Sequence, residues 1–149
     1  MPAVAFVNQK GGVGKTTVAL GLAAVAWARG LDCLVIDLDP QGNATTGLGV
    51  WDPPFSVDQA LAEERTGAVA GLRVASGWPT EGGRPPSVVP STPGLAAREP
   101  QLLTDPIGAQ DRLRLALQGV RHDLVLIDCP PSLGLLTVNG LFAADRALV

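Results

Sequence analysis

The sequence predicts an α/β fold, a mostly parallel sheet with helices on both faces. Three observations carry that expectation. An apolar run, Ala3-Val4-Ala5-Phe6-Val7, leads into a glycine-rich stretch and then a long Ala/Leu/Val-rich segment ending at Arg29-Gly30. That pattern reads as strand, loop and helix. Two further runs, Leu34-Val35-Ile36 and Leu124-Val125-Leu126-Ile127, are continuously apolar and each ends in an aspartate, as strands do when both faces of the sheet are covered. Hydrophobic residues make up 46% of the 149 positions and charged residues 17%, enough for one domain with a proper core.

Taken in order, residues 3–8 form the first strand. The helix that follows runs from Thr16 to about Arg29. It is apolar nearly all round, at Val18, Leu20, Leu22, Val25 and Trp27, so it is expected to be buried against the sheet and a partner. Gly30 suits the position after its end. A buried strand at Leu34 to Ile36 comes next. Residues 44–54 are loop, with Gly47, Gly49, Pro53 and Pro54 as breakers. Ser56 caps a helix to about Glu64, with Val57, Ala60 and Leu61 at helical spacing. Residues 76–87 hold Pro79, Gly82, Gly83, Pro85 and Pro86 and are expected to form a flexible surface loop. Ser87 to Ser91 is a short strand, and Leu95 to Leu103 a weak helix broken at Pro100. Leu113, Leu115, Leu117 and Val120 mark an amphipathic helix over Ile107 to Val120. The strand ending at Asp128 follows, then a helix from Leu133 to about Phe142. Ala147-Leu148-Val149 begins another strand.

The chemistry concentrates in three places. Residues 8–17 read Asn8-Gln9-Lys10-Gly11-Gly12-Val13-Gly14-Lys15-Thr16-Thr17. Glycines let a backbone wrap closely around an anion, with successive N–H groups pointing inward. The helix starting near Lys15 adds the positive end of its dipole. Lys15 supplies a point charge for β- and γ-phosphates, and the Thr16 hydroxyl is placed for Mg²⁺. The pattern G-x-x-x-x-G-K-[ST] is met at Gly14-Lys15-Thr16 and missed at its first glycine, where Gln9 stands. The second place is Asp37-Leu38-Asp39-Pro40-Gln41-Gly42-Asn43, at the C-terminal end of a strand, where α/β sheets bind ligands. Alternation puts Asp37 and Asp39 on one side, one to face the metal and its waters and the other the attacking water. The third is Asp128, ending a run of apolar residues, as an oxygen ligand that reaches Mg²⁺ directly or through water.

Lys10-Gly11-Gly12-Val13-Gly14-Lys15-Thr16-Thr17 resembles the deviant Walker A loop of the ParA/MinD class of P-loop ATPases. Asp37-Leu38-Asp39-Pro40-Gln41-Gly42-Asn43 and Ile127-Asp128-Cys129-Pro130-Pro131-Ser132-Leu133-Gly134 resemble the second signature and the Walker B region of ParA-type partition ATPases. The resemblance runs from residue 4 to the end and is loose over 65–112. It implies a P-loop NTPase fold, with ATP held by Lys10, Gly11, Gly12, Val13, Gly14, Lys15, Thr16 and Thr17. We assign the metal to Thr16, Asp37 and Asp128, and catalysis to Lys10, Lys15 and Asp39. In the family the residue matching Asp39 positions the hydrolytic water, and the one matching Lys10 reaches the nucleotide of the partner subunit. The implied function is an ATPase of chromosome or plasmid partition, weakly active alone. It would work as an ATP-dependent homodimer that binds DNA non-specifically, stimulated by a centromere-binding, ParB-like protein. Family chains are longer, so residues 1–149 are expected to be the N-terminal part of the domain. The remainder completes the sheet and carries the base-binding loop and much of the DNA surface.

Two alternatives stand beside that reading: a MinD-like division-site ATPase, and a truncated nucleotide-binding module without activity. Pro40-Gln41-Gly42-Asn43 argues against the first. Net charge is −3, lysine occurs only at 10 and 15, and the arginines are scattered, against a uniformly DNA-coated surface. No apolar run makes a membrane span, and the N-terminus carries no signal-peptide pattern. Cys33 and Cys129 lack metal-site or disulfide spacing and read as small core residues in a reducing cytoplasm; the resemblance implies a cytoplasmic protein associated with the nucleoid. His122 reads as a polar residue before a strand.

Overall fold

A computed structural model of the chain describes residues 1–12, 14–105 and 107–149. The first strand, β1 (Ala3–Phe6), passes through the glycine-rich loop into α1 (Lys15–Ala28) and then β2 (Cys33–Asp37). Two short helices follow, α2 (Asn43–Gly47) and α3 (Asp58–Leu61), then β3 (Val74–Ala75) and β4 (Ser87–Val89). The chain continues through α4 (Arg98–Leu102), α5 (Arg112–Leu117), β5 (Leu124–Asp128), α6 (Leu135–Ala143) and β6 (Arg146–Leu148). Single 3₁₀ turns at Ala68–Gly71, Pro93–Ala97 and Ala109–Asp111 precede β3, α4 and α5.

The described strands form one sheet in the order β3-β4-β2-β5-β1-β6. All pairings are parallel except that of β3 with β4. The loops after β1, β2 and β5 therefore leave the sheet at the same edge. Side chains alternate as the pleat requires. Ala3, Ala5, Leu34, Ile36, Val125 and Ile127 pack with α3, α5 and α6. Phe6, Cys33, Val35 and Leu126 pack with α1 and α2 on the other face. The α/β expectation, with helices on both faces, holds. Cys33 and Cys129 are buried free thiols, as expected of core positions.

Several element-level expectations are corrected. The buried face of α1 is Ala19, Ala23 and Ala26, whereas Val18, Leu22 and Val25 remain 44%, 40% and 47% exposed. Alanine lets the helix axis lie close to the sheet, and the larger side chains are left on the outer side. The stretch 44–54 is not all loop, because Gly42 turns the chain into α2. Beyond α3, Ala62 to Thr66 are exposed and have no apolar anchor to extend the helix to Glu64. Its start is tied down locally: the Ser56 Oγ accepts from the Asp58 N–H at 3.2 Å, and Gln59 Oε1 accepts from the Ser56 N–H at 3.0 Å. Leu95 to Leu103 divides into a 3₁₀ turn and α4, with Pro100 in the first turn of α4, where its missing N–H costs nothing. The helix expected from Ile107 begins only at Arg112, because Gly108 at φ 85 interrupts it. The strand β3 had no counterpart in the sequence reading. No described helix is long and apolar enough to cross a membrane.

Candidate active site

The glycine-rich loop closes on itself before it opens toward solvent. The side chain of Asn8 accepts a hydrogen bond from the Lys10 N–H at 2.8 Å. Gly12 and Gly14 take φ 75 and 85, the left-handed region where a Cβ is strained. Gly14 is also the N-cap of α1, and its carbonyl accepts from the Val18 N–H at 2.9 Å. The first turn of α1 holds no acidic side chain of its own, and the positive end of the helix faces the cleft.

A cleft of about 370 Å³ opens over this loop. Lys10, Gly11, Gly12, Gly14, Lys15, Thr16 and Thr17 line it together with Asp39, Gln41, Asn43 and Pro131. The Thr16 Oγ1 donates to Asp128 Oδ2 at 2.6 Å. Asp128 is fully buried, and its second oxygen, Oδ1, has no hydrogen-bond partner. Burial raises the Asp128 pKa; the Thr16 hydroxyl and the Lys15 charge act against that rise, and the charge of Asp39 adds to it. An orphaned carboxylate oxygen is costly, and one beside a threonine hydroxyl suits a hard cation or a water bound to it. Among the described residues no group of three or more His, Cys, Asp or Glu could form a protein cage for a metal. The set therefore suits a cation such as Mg²⁺, which keeps waters and shares phosphate oxygens.

Asp39 is 6% exposed and lines the cleft. Its Oδ1 accepts from the Gln41 N–H at 3.0 Å, and its carbonyl accepts from Ser91 Oγ at 2.6 Å. Asp37 does not line the cleft. It stands in register with Asp128 on the neighbouring strand, yet both of its oxygens are occupied by the fold. Oδ1 accepts from the Asp39 N–H at 3.0 Å; Oδ2 accepts from the Thr45 N–H at 2.9 Å and from Thr45 Oγ1 at 2.7 Å. Burial pushes its carboxyl up to about 7, against the hydrogen bonds from Thr45.

The structure thus gathers Lys10, Gly11, Gly12, Gly14, Lys15, Thr16, Thr17 and Asp39 around one cleft, with Asp128 joined to it through Thr16. It does not bring Asp37 to that cleft. Val13 lies outside the described residues. Sequence reasoning missed Gln41, Asn43 and Pro131 as lining residues, and Thr45 and Ser91 as supports. Pro131 was within reach, since it follows a strand at the ligand-binding edge. No spacing rule links Thr45 to Asp37, because α2 makes that contact.

The AAA domain family model matches residues 1–149. The chain is 39% identical over 148 residues to the sporulation initiation inhibitor protein Soj of Bacillus subtilis, covering 98% of this chain and 56% of that protein. It is 43% identical over 150 residues to the chromosome partitioning protein ParA of Myxococcus xanthus, covering 98% and 50%. The chain therefore spans about half the length of the curated relatives it matches. Among solved structures, cobyrinic acid a,c-diamide synthase of Mycobacterium smegmatis with bound ATP analogue and magnesium superposes with TM-score 0.85 at 37% identity, covering 99% of this chain and 58% of that one. Apo McdA of Cyanothece, at 24% identity and TM-score 0.85 over 99% and 56%, shares the fold.

Proposed function

This chain belongs to the AAA domain family, and from that premise we propose that it binds Mg²⁺-ATP over residues 10–17 and hydrolyses it as a ParA/Soj-type partition ATPase. The Thr16–Asp128 contact carries the reading. It joins the first turn of α1 to the end of β5 and leaves one buried carboxylate oxygen free. The resemblance to Soj and ParA supports the biological role.

In this reading the loop N–H groups and the α1 N-terminus hold the phosphates, and Lys15 offsets their charge. Thr16 and Asp128 would hold the metal, Asp128 through water; an ion held there would supply positive charge against the phosphates. Asp39 orients the attacking water, its backbone fixed by Ser91 and Asp37. Asp37 supports that loop through the Asp39 N–H, the Thr45 N–H and the Thr45 hydroxyl. Lys10 is exposed at the rim and acts on the nucleotide of a second copy in an ATP-dependent homodimer, as an arginine finger does in trans. A ParB-like protein stimulates turnover, and the dimer binds DNA non-specifically. The site of action is the cytoplasm, on the nucleoid.

Phosphate release under Mg²⁺-ATP tests the proposal. The parent chain is expected to turn over slowly. Asp39→Ala should keep nucleotide binding and lose roughly 100-fold or more in rate, and Lys10→Ala should lose at least about tenfold. A parent chain that binds Mg²⁺-ATP but releases no phosphate would leave a binding module. A Lys10→Ala dimer with the parent rate would remove the role in trans.

A further inference from the structure

Arg73 and Arg84 are far from the cleft in sequence, and the antiparallel pairing of β3 with β4, Val74 opposite Val88 and Ala75 opposite Ser87, sets their segments side by side. A cavity of about 410 Å³ opens there, lined by Arg73, Arg84, Ser76, Thr80 and Ser87 over apolar Val74 and Pro85. Ser87 is the first residue of β4, so this cavity lies at the opposite end of the sheet from the glycine-rich loop. The loop between the two strands is fastened by Ser76 N–H to the Pro86 carbonyl at 3.1 Å and by Trp78 Nε1 to the Gly47 carbonyl at 3.0 Å.

The charge in this cavity is one-sided. Among the described residues that line it there is no carboxylate. Arg73 donates to the Ala70 carbonyl at 3.3 Å and meets His122 Nε2 at 2.9 Å. Neither partner is a carboxylate, so these two contacts give the Arg73 charge no anionic partner. The Arg84 side chain is 69% exposed and reaches Asp32 Oδ2 only at 3.5 Å, a contact of little strength at an exposed site. Asp32 is itself shared with His122, whose Nδ1 lies 3.1 Å from Oδ1 but out of line for a good hydrogen bond. Ser76 is 8% exposed, and its Oγ has no hydrogen-bond partner. A buried hydroxyl with no partner on the wall of an arginine-lined cavity is an unsatisfied polar group.

We infer that this cavity is a second anion site that takes a phosphate group. Arg73 and Arg84 supply the charge, and Ser76, Thr80 and Ser87 supply short-range donors. Arginine suits this role because its planar fork matches a pair of phosphate oxygens. The phosphate belongs either to a small phosphorylated molecule or to a nucleic-acid backbone. The site stands apart from the ATP cleft, so the two proposals fail independently.

The test is an NMR titration of the chain with inorganic phosphate at constant ionic strength, following arginine Nε–H signals and backbone amides. Saturable shifts are expected at Arg73, Arg84, Ser76, Thr80 and Ser87, and they should persist in Lys15→Ala, which disables the glycine-rich loop. Arg84→Gln should weaken them roughly tenfold, since it removes a charge-assisted contact, and Ser87→Ala should weaken them less. Mg²⁺-ATP binding should be unchanged in both variants. Shifts that fail to saturate, that chloride reproduces, or that Arg84→Gln leaves intact would overturn the site. A short DNA duplex then distinguishes the sources. Displacement of phosphate from the same signals, reversed by salt, identifies a nucleic-acid backbone, and no displacement identifies a small phosphorylated molecule.

Discussion

Asp37 is a carboxyl group whose protonation the fold controls strongly. Burial raises it from 3.8 to about 7. The folded chain therefore holds this proton more tightly than the unfolded chain across that interval. Stability owed to Asp37 is fully present below pH 3.8 and is lost as pH rises to about 7. Urea unfolding at stepped pH should show that downward slope, and Asp37→Asn should flatten it. The same variant should lose about 1–3 kcal/mol at acidic pH, because its amide must set an N–H against a donor of Asp39 or Thr45. A second residue-scale prediction concerns Thr16→Ala. It strips Asp128 of its hydroxyl partner, so Mg²⁺-dependent nucleotide affinity should fall roughly tenfold, read by titration with and without Mg²⁺. The sequence made these residues legible only in part. Alternation assigned Asp37 and Asp39 to one side of the sheet, but Thr45 competes for Asp37 from a helix that the glycines and prolines of 44–54 concealed. Thr16 and Asp128 were legible because loop, helix and strand end are each fixed by local pattern.

Among the elements, α1 carries the loop, and its seat on the sheet decides where Lys15 and Thr16 stand. Ala23 is fully buried in that seat while Val25 is 47% exposed. Ala23→Leu should destabilise the fold by about 1–3 kcal/mol through overpacking and should also weaken nucleotide binding by tilting the loop. Val25→Ala should stay within about 0.5 kcal/mol. Urea unfolding of the two variants separates the faces. Hydropathy alone misplaced this face, since a helix that is apolar all round offers no moment to orient it, and alanine is the residue that close helix–sheet contact selects. The position of α1 along the chain was plain from Gly14 and Gly30, which bound it on either side.

For the molecule as a whole, the parallel sheet was legible because β2 and β5 are continuous apolar runs, and β3 was not because two residues give no period. Amide hydrogen exchange should follow the same order. Leu34 to Ile36 and Val125 to Ile127, paired on both sides, should exchange slowest, and β3 and β6 at the sheet edges fastest. That sheet sets the cleft where three strand ends meet, and the account stands on Mg²⁺-ATP entering it. The direct measurement is calorimetric titration of the chain with Mg²⁺-ATP beside Lys15→Ala. Saturable binding by the parent, abolished by Lys15→Ala and weakened when Mg²⁺ is withheld, is the predicted result. A folded parent chain that takes up no nucleotide, or one that binds equally well with Lys15 replaced, would contradict it.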